Sequence, residues 1–364
     1  MSDSKRHNLD NYKPKPNKDW QLHWLDDQPM LYSKSNDSLH LLNPVAGFIW
    51  TCCDGKTEVR AIRDALQEVF VDNEVDEDLA DILLLWHSYD FLLTRTTGDL
   101  PLEINGKPCI WMAWTGENPK PAYLNLCLET VRKHNAKYFE IILITPNNIA
   151  NYLTDIHPAY QYLSYVHRAD YIRCEILHQR GGIYLDMDTI CFKDLWQWYD
   201  KLQDYDIVNY DGRPWGTLIG TSIFGPTRRN SIFTRAWSKE LRKHLDKRLM
   251  DLIFFRKMNP EPITDCLQWS EILHFLVVPI VQKLQKNKQF SFYRISLKNF
   301  CVTSLGGRYC ETKLFKNQPI NVKIQTDILI LHNSGYQNNF KNLSKQQILS
   351  SSLGIASLLQ YALS

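Results

Sequence analysis

Between Cys109 and Leu185 the apolar pattern changes period repeatedly, and this alternation narrows the possible folds more than any other feature of the chain. Cys109–Trp114 is a continuous apolar run of strand length, as in a strand buried on both faces. Ala122–Asn135 repeats its apolar residues at helical spacing. Phe139–Ile144 is again a short apolar run, and Tyr160–Arg180 has the length and spacing of a long helix. Gly181-Gly182 stops that helix, and Ile183–Leu185 follows as a third strand. Asp206–Tyr210 and the late run Ile328–Leu331 read as further strands. Strands alternating with helices predict an α/β domain with a mainly parallel sheet.

The preceding residues have a different pattern. Residues 1–19 are polar, carry Pro14 and Pro16, and read as a mobile arm. Three short strands, Trp20–Leu25, Pro29–Ser33 and Ser38–Leu42, are separated by the turn residues Asp26-Asp27 and Asn36-Asp37. Asn43-Pro44 is then an N-cap followed by proline at the first helical position. Three helical faces follow: Val45, Phe48 and Ile49; Val59, Ile62, Leu66, Val69 and Phe70; and Leu79 to Tyr89. The organisation predicted is an arm (1–19), a small α+β domain of winged-helix type (20–93), a linker (94–108), the α/β domain (109–340) and a C-terminal helical segment (341–364). The last apolar stretch, Ile348–Ala362, is expected to pack back on the body as one helix.

Bulk properties exclude several functions. With a formal charge of +2 over 364 residues, nothing at whole-chain level points to nucleic acid or a polybasic membrane partner. From Asn43 to Leu93 there are 11 acidic and 3 basic residues, so that unit repels a phosphate backbone. Nine cysteines lack any Cys-x-x-Cys pair and suit free, mostly buried thiols in a reducing compartment. The polar start shows no secretory pattern, so none is expected, and Phe275–Val281, the longest strongly apolar stretch, is too short to span a bilayer. A cytoplasmic location is expected.

The chemistry concentrates at Asp186-Met187-Asp188, directly after Ile183–Leu185. On an extended chain residues two apart share a side, so both carboxylates can face one cation at a strand's C-terminal end. Hard oxygen ligands suit Mg²⁺ or Mn²⁺, which stabilise the charge of a departing diphosphate. Upstream, Asp170 and Arg173 are three apart and share a helical face. Read alone this is a weak surface ion pair. Beside a metal it becomes a carboxylate and a planar guanidinium suited to sugar hydroxyls and phosphate.

The run from Arg168 through Asp170, Arg173 and Gly181-Gly182-Ile-Tyr184-Leu-Asp186-Met-Asp188 resembles the Gly-Gly-x-Tyr-x-Asp-x-Asp block of a glycosyltransferase group. This group is the capsular-polysaccharide-synthesis and mannosyltransferase-like enzymes, related to glucosylating bacterial toxins. Ile110 to Gly116, Pro121 and Cys127-Leu128 resemble the group's opening strand and first helix. The resemblance, over roughly residues 109–335, implies a GT-A fold and a nucleotide-sugar donor, a UDP-sugar, with retention of configuration. It implies that Asp170 and Arg173 hold the sugar, that Asp186 touches ribose or sugar and assists the metal, and that Asp188 binds the metal directly. Trp111, Ala113, Trp114 and Thr115 would line base and ribose, with Gly182 and Tyr184 also at the donor. His332, after the late strand, would add a metal or diphosphate contact, with Ser334 beside it. The sequence marks no carboxylate as an obvious general base, in keeping with retention, although a loop could supply one such as Asp211, Asp265 or Glu271.

Residues 20–93, with Leu42-Asn43-Pro44-Val-Ala-Gly47-Phe-Ile49-Trp50, resemble the PqqD-like domain that recognises ribosomally made peptides. The resemblance implies a leader peptide added as a strand along Ser38–Leu42 and packed on Leu79–Tyr89. Together the two halves point to a glycosyltransferase acting on a precursor peptide. A capsular or cell-surface polysaccharide transferase and a peptide-binding scaffold with an inactive transferase domain are the alternatives.

Overall fold

The computed structural model describes residues 10–34, 37–70, 75–89, 91–92, 97–210, 224–286, 291–295, 300–302, 314–320, 326–331 and 338–364. The chain divides into two compact units, Met1–Arg95 and Thr96–Ser364.

The first unit opens with an antiparallel sheet of β1 (Gln21–Leu25), β2 (Gln28–Ser33) and β3 (Ser38–Leu41), in that order. Asp26 and Asp27, both at positive φ, make the tight turn between β1 and β2. Helices α1 (Pro44–Cys52), α2 (Val59–Val69) and α3 (Val75–Ser88) follow. The Asn43 carboxamide accepts from the Ala46 amide at 2.7 Å and caps α1, and Asp54 accepts from the amides of Lys56 and Thr57 in the turn before α2. Leu31, Ile49, Trp50, Ile62, Leu66, Leu83 and Trp86 form the core. On β3 the alternation is plain: the His40 ring packs inward against Trp20 and Phe91, while Leu39 and Leu41 face solvent.

The second unit is an α/β body. Its main sheet has the order β10-β8-β9-β6-β4-β5, with β4 (Cys109–Ala113), β5 (Glu140–Ile144), β6 (Gly182–Tyr184), β8 (Ile207–Tyr210), β9 (Phe224–Thr227) and β10 (Phe292–Ile295). Pairs β4–β5, β4–β6 and β8–β10 are parallel, and β9 is the antiparallel strand between β6 and β8. A second small sheet joins β11 (Phe300–Val302), β12 (Ile328–Ile330) and β7 (Thr189–Cys191).

β4 explains the layering. Ile110 and Met112 enter one core with Tyr123, Cys127 and Val131 of α4 (Ala122–Asn135). Cys109, Trp111 and Ala113 enter the other with Tyr171, Cys174 and Leu177 of α5 (Tyr165–Gln179) and Trp237 of α6 (Ile232–Met258). A strand apolar at every position is thus covered by helices on both faces. α7 (His274–Lys286) packs with α6. Residues 97–98 are fastened to the sheet: the buried Asp206 carboxylate accepts from the Thr97 and Gly98 amides at 2.6 and 3.0 Å, and from the Ser291 amide at 3.1 Å.

Two expected helices differ in the structure. Tyr160–Arg180 is not one helix. Pro158–Tyr162 is a 3-10 turn, and α5 starts after Ser164, whose hydroxyl accepts from the His167 amide. The C-terminal stretch is broken into α8 (Lys345–Ser350) and α9 (Gly354–Leu363), because Ser351 and Leu353 are extended. Both helices pack against α4. The cysteines whose side chains are described are free thiols, most of them buried. No helix among the described residues is long and apolar enough to cross a membrane.

Candidate active site

The helix stop after α5 is where the site begins. Gly181 and Gly182 have φ of +72° and +101°, and a Cβ on Gly182 would lie 2.6 Å from the Cys109 carbonyl oxygen of β4. Only glycine lets β6 lie this close to β4. The Trp111 indole donates to the Gly181 carbonyl at 2.7 Å and fixes the same corner from below. Leu185 then pairs with β4 through its amide, 2.9 Å from the Trp111 carbonyl.

Asp186 and Asp188 follow, but on a turn and not on an extended strand. The Thr189 amide donates to the Asp186 carbonyl at 3.1 Å, which bends Asp186–Thr189 into a β-turn between β6 and β7. The Leu331 amide, just after β12, donates to the Asp188 carbonyl at 3.1 Å and braces the turn. Both carboxylates still reach one cavity, through the turn and not through strand alternation.

That cavity measures about 390 Å³ and is lined by the end of β4 (Ala113, Trp114, Thr115), the start of α5 (Tyr165, Val166, Ala169, Asp170, Arg173), the Asp186–Asp188 turn, and a loop bearing Trp269 and Ser270. Thr115 Oγ1 donates to the Tyr165 carbonyl at 2.6 Å and joins strand end to helix start. A cavity of this size, with a few converging polar groups, suits a small ligand.

Charge is organised around Arg173. Its guanidinium is buried, donates to Asp186 at 2.5 Å, stands 3.8 Å from Asp170, and lies 4.8 Å over the Tyr184 ring. Burial would weaken its charge, and the neighbouring Asp186 and Asp170 more than restore it. Asp170 has its pKa pushed up to about 6 by burial, with Arg173 and His167 pulling the other way. At the head of α5, His167 pairs with the buried Asp265 at 2.8 Å, and Asp265 also accepts from the Ser164 and Leu267 amides.

Asp170, Arg173, Asp186, Asp188, Ala113, Trp114 and Thr115 all line this one cavity. Trp111, Gly182 and Tyr184 are placed elsewhere. None lines the cavity: Trp111 is committed to Gly181, Gly182 to close strand packing, and Tyr184 to the back of Arg173. Asp265 and Glu271 are also engaged elsewhere, Glu271 accepting from His244 and from the Gln268 amide at 2.7 Å each. His332, Ser334 and Asp211 lie outside the described residues.

Asp186 and Asp188 offer hard oxygen donors that fit Mg²⁺ or Mn²⁺, ions that keep water and take phosphate oxygens. Among the described residues no third His, Cys, Asp or Glu completes a cluster with them. The cavity's second wall has little signal in the sequence. Tyr165, Val166 and Ala169 are the first turns of α5, and Trp269-Ser270 comes from a distant loop with Ser270 at φ +66°. An isolated tryptophan beside a polar turn is the one local hint there.

Comparison with known families and structures adds the following. Residues 88–245, under half of the chain, match the family model described as capsular polysaccharide synthesis protein, and residues 30–92 match that of coenzyme PQQ synthesis protein D. Among solved structures, PaToxG glycosyltransferase is 15% identical, with 53% of this chain and 71% of that one covered and a TM-score of 0.35. The glycosyltransferase GlyE of Streptococcus pneumoniae TIGR4 is 14% identical, with 71% and 61% covered and a TM-score of 0.34. TbiB1 in complex with the TbiA(beta) leader peptide is 21% identical, with 21% and 93% covered and a TM-score of 0.20. No curated protein matches the chain.

Proposed function

We propose that the chain is a cation-dependent glycosyltransferase that moves a sugar from a UDP-sugar, with retention, to a ribosomally made precursor peptide held through its leader. The observation that carries this reading is the convergence of Asp186, Asp188, Arg173 and Asp170 in one cavity at the C-terminal end of parallel strands. Asp186 and Asp188 would hold Mg²⁺ or Mn²⁺, which supplies Lewis-acid stabilisation of the diphosphate leaving group. Arg173 keeps Asp186 oriented and brings positive charge to the phosphate side. Asp170, beside it on the same helix face, is placed to accept from a sugar hydroxyl. Ala113 to Thr115 form the wall for base and ribose. Retention is carried over from the resemblance to the glycosyltransferase group.

The first unit supports the peptide part. β3 lies at the edge of its sheet, Leu39 and Leu41 on it are exposed, and Leu85 and Tyr89 at the end of α3 are exposed too. An incoming strand gains main-chain hydrogen bonds there and pockets for alternate side chains. The capsular-polysaccharide family match favours a second reading, a saccharide acceptor in place of the peptide.

The test is turnover of a panel of nucleotide sugars with Mn²⁺ or Mg²⁺ by the native chain and by Asp188→Ala, alone and with a precursor peptide. Metal-dependent release of UDP from one donor, lost in the variant and accelerated by the peptide, is the expected result. Turnover that survives Asp188→Ala would overturn the assignment, and acceleration only by a saccharide would select the second reading.

A further inference from the structure

α6 is 27 residues long and buries one face through Phe233, Trp237, Leu241, Leu245 and Leu252. Its outward face has an unusual order. Lys239, Lys243 and Lys247 are exposed and follow one another at four-residue spacing. Met250, Phe254 and Met258 continue the same strip at the same spacing and are 72%, 70% and 69% exposed. The strip thus has a cationic half and an apolar half, and spans about 28 Å from Lys239 to Met258. Lys257 flanks the apolar end. The near-neutral charge of the whole chain conceals this.

From this strip we infer that the exposed face of α6 docks on an anionic membrane surface. At about 70% exposure the three apolar side chains stand clear of their neighbours as a ridge, which a deformable lipid interface can accept. Lysine is a point charge on a flexible apolar stem, suited to lying along a headgroup layer with the ammonium on lipid phosphate. Of the acidic residues beside the strip, Asp251 is bound by Arg248 at 2.6 Å and the exposed Asp246 lies 3.1 Å from His157, while Glu240 stands 3.9 Å from Lys243, so Lys239 and Lys247 lead the cationic half. A second copy of the chain is a poorer occupant. A second copy paired antiparallel about Phe254 would cover only Met250, Phe254 and Met258 and leave the lysine half without a partner surface, whereas an anionic lipid interface takes both halves.

The test uses the full chain and phosphatidylcholine vesicles with or without phosphatidylglycerol, read by co-sedimentation. The chain is expected to bind the anionic vesicles and to be released by added salt. Met250→Ser/Phe254→Ser/Met258→Ser should weaken that binding about tenfold or more. Each of Lys239→Gln, Lys243→Gln and Lys247→Gln should weaken it about fivefold. All six positions are exposed, so circular dichroism and melting should match the native chain. No binding to anionic vesicles, or equal binding by the triple serine variant, would overturn the inference. So would a native dimer that the triple serine variant converts to monomer, since the face would then belong to a second copy.

Discussion

Gly182→Ala isolates the packing that aims the carboxylate turn. A non-glycine residue at φ +101° costs about 1–3 kcal/mol of backbone strain. The added methyl also meets the Cys109 carbonyl oxygen at 2.6 Å and Trp111 Nε1 at 3.0 Å. The oxygen belongs to β4, which is held to β6 through Ile110–Ile183 and Trp111–Tyr184, so relief requires prising the two strands apart. Overpacking of this kind adds about 1–3 kcal/mol. The total, about 2–6 kcal/mol, lowers the melting temperature by roughly 5–15 °C for a unit of this size. Gly106→Ala is the control, because Gly106 has φ +71° with nothing within 4 Å and bears the backbone cost alone, about 1–2 kcal/mol. Thermal and urea unfolding followed by circular dichroism compare the two. Equal losses in both variants would refute the claim that contact with β4, and not backbone conformation alone, requires glycine at 182.

The His167–Asp265 pair fixes a pH window. Burial acts to lower the His167 pKa, but the hydrogen bond and charge of Asp265 raise it overall; burial acts to raise that of Asp265, but His167 and the Ser164 amide lower it. A raised histidine stabilises below its ordinary value of 6.5 and loses this as pH rises through the folded value. A lowered aspartate stabilises above its ordinary 3.8 and loses this as pH falls through the folded value. His167→Gln should therefore destabilise most between those two ordinary values, by about 3–5 kcal/mol, and a urea-derived deficit that stays flat from acid to alkaline pH would contradict the pairing. Glu175, 1% exposed, accepts from Ser238, Arg242 and Gln179. Glu175→Gln should cost about 1.5–3 kcal/mol in the same assay, and an unchanged midpoint would show that the buried charge contributes nothing.

How far the chain could be read depends on the range of the forces involved. β4, α4, β5 and β6 were legible because each is a run of local apolar pattern between turn residues. The α1 start was legible because Asn43-Pro44 is a local capping signal. α6 was not read: its buried positions are interleaved with basic residues and with Met250, Phe254 and Met258, which blur the apolar face. β9 slips antiparallel between β6 and β8, a choice made by tertiary packing. In the candidate site, the Asp186–Asp188 spacing points to one shared cavity, but a turn and not strand alternation brings the side chains there. Trp111 packs on Gly181 and Tyr184 on Arg173, contacts that a linear reading cannot place.

The most direct test of the central claim is calorimetric titration of UDP into the native chain and into Asp188→Ala, each with and without Mn²⁺. If the cavity is a cation-dependent nucleotide diphosphate site, UDP binds the native chain only with Mn²⁺, and the variant binds at least about tenfold more weakly, a difference of about 1.4 kcal/mol. UDP binding that is indifferent to Mn²⁺ or to the loss of Asp188, or no binding by the native chain at all, would contradict it.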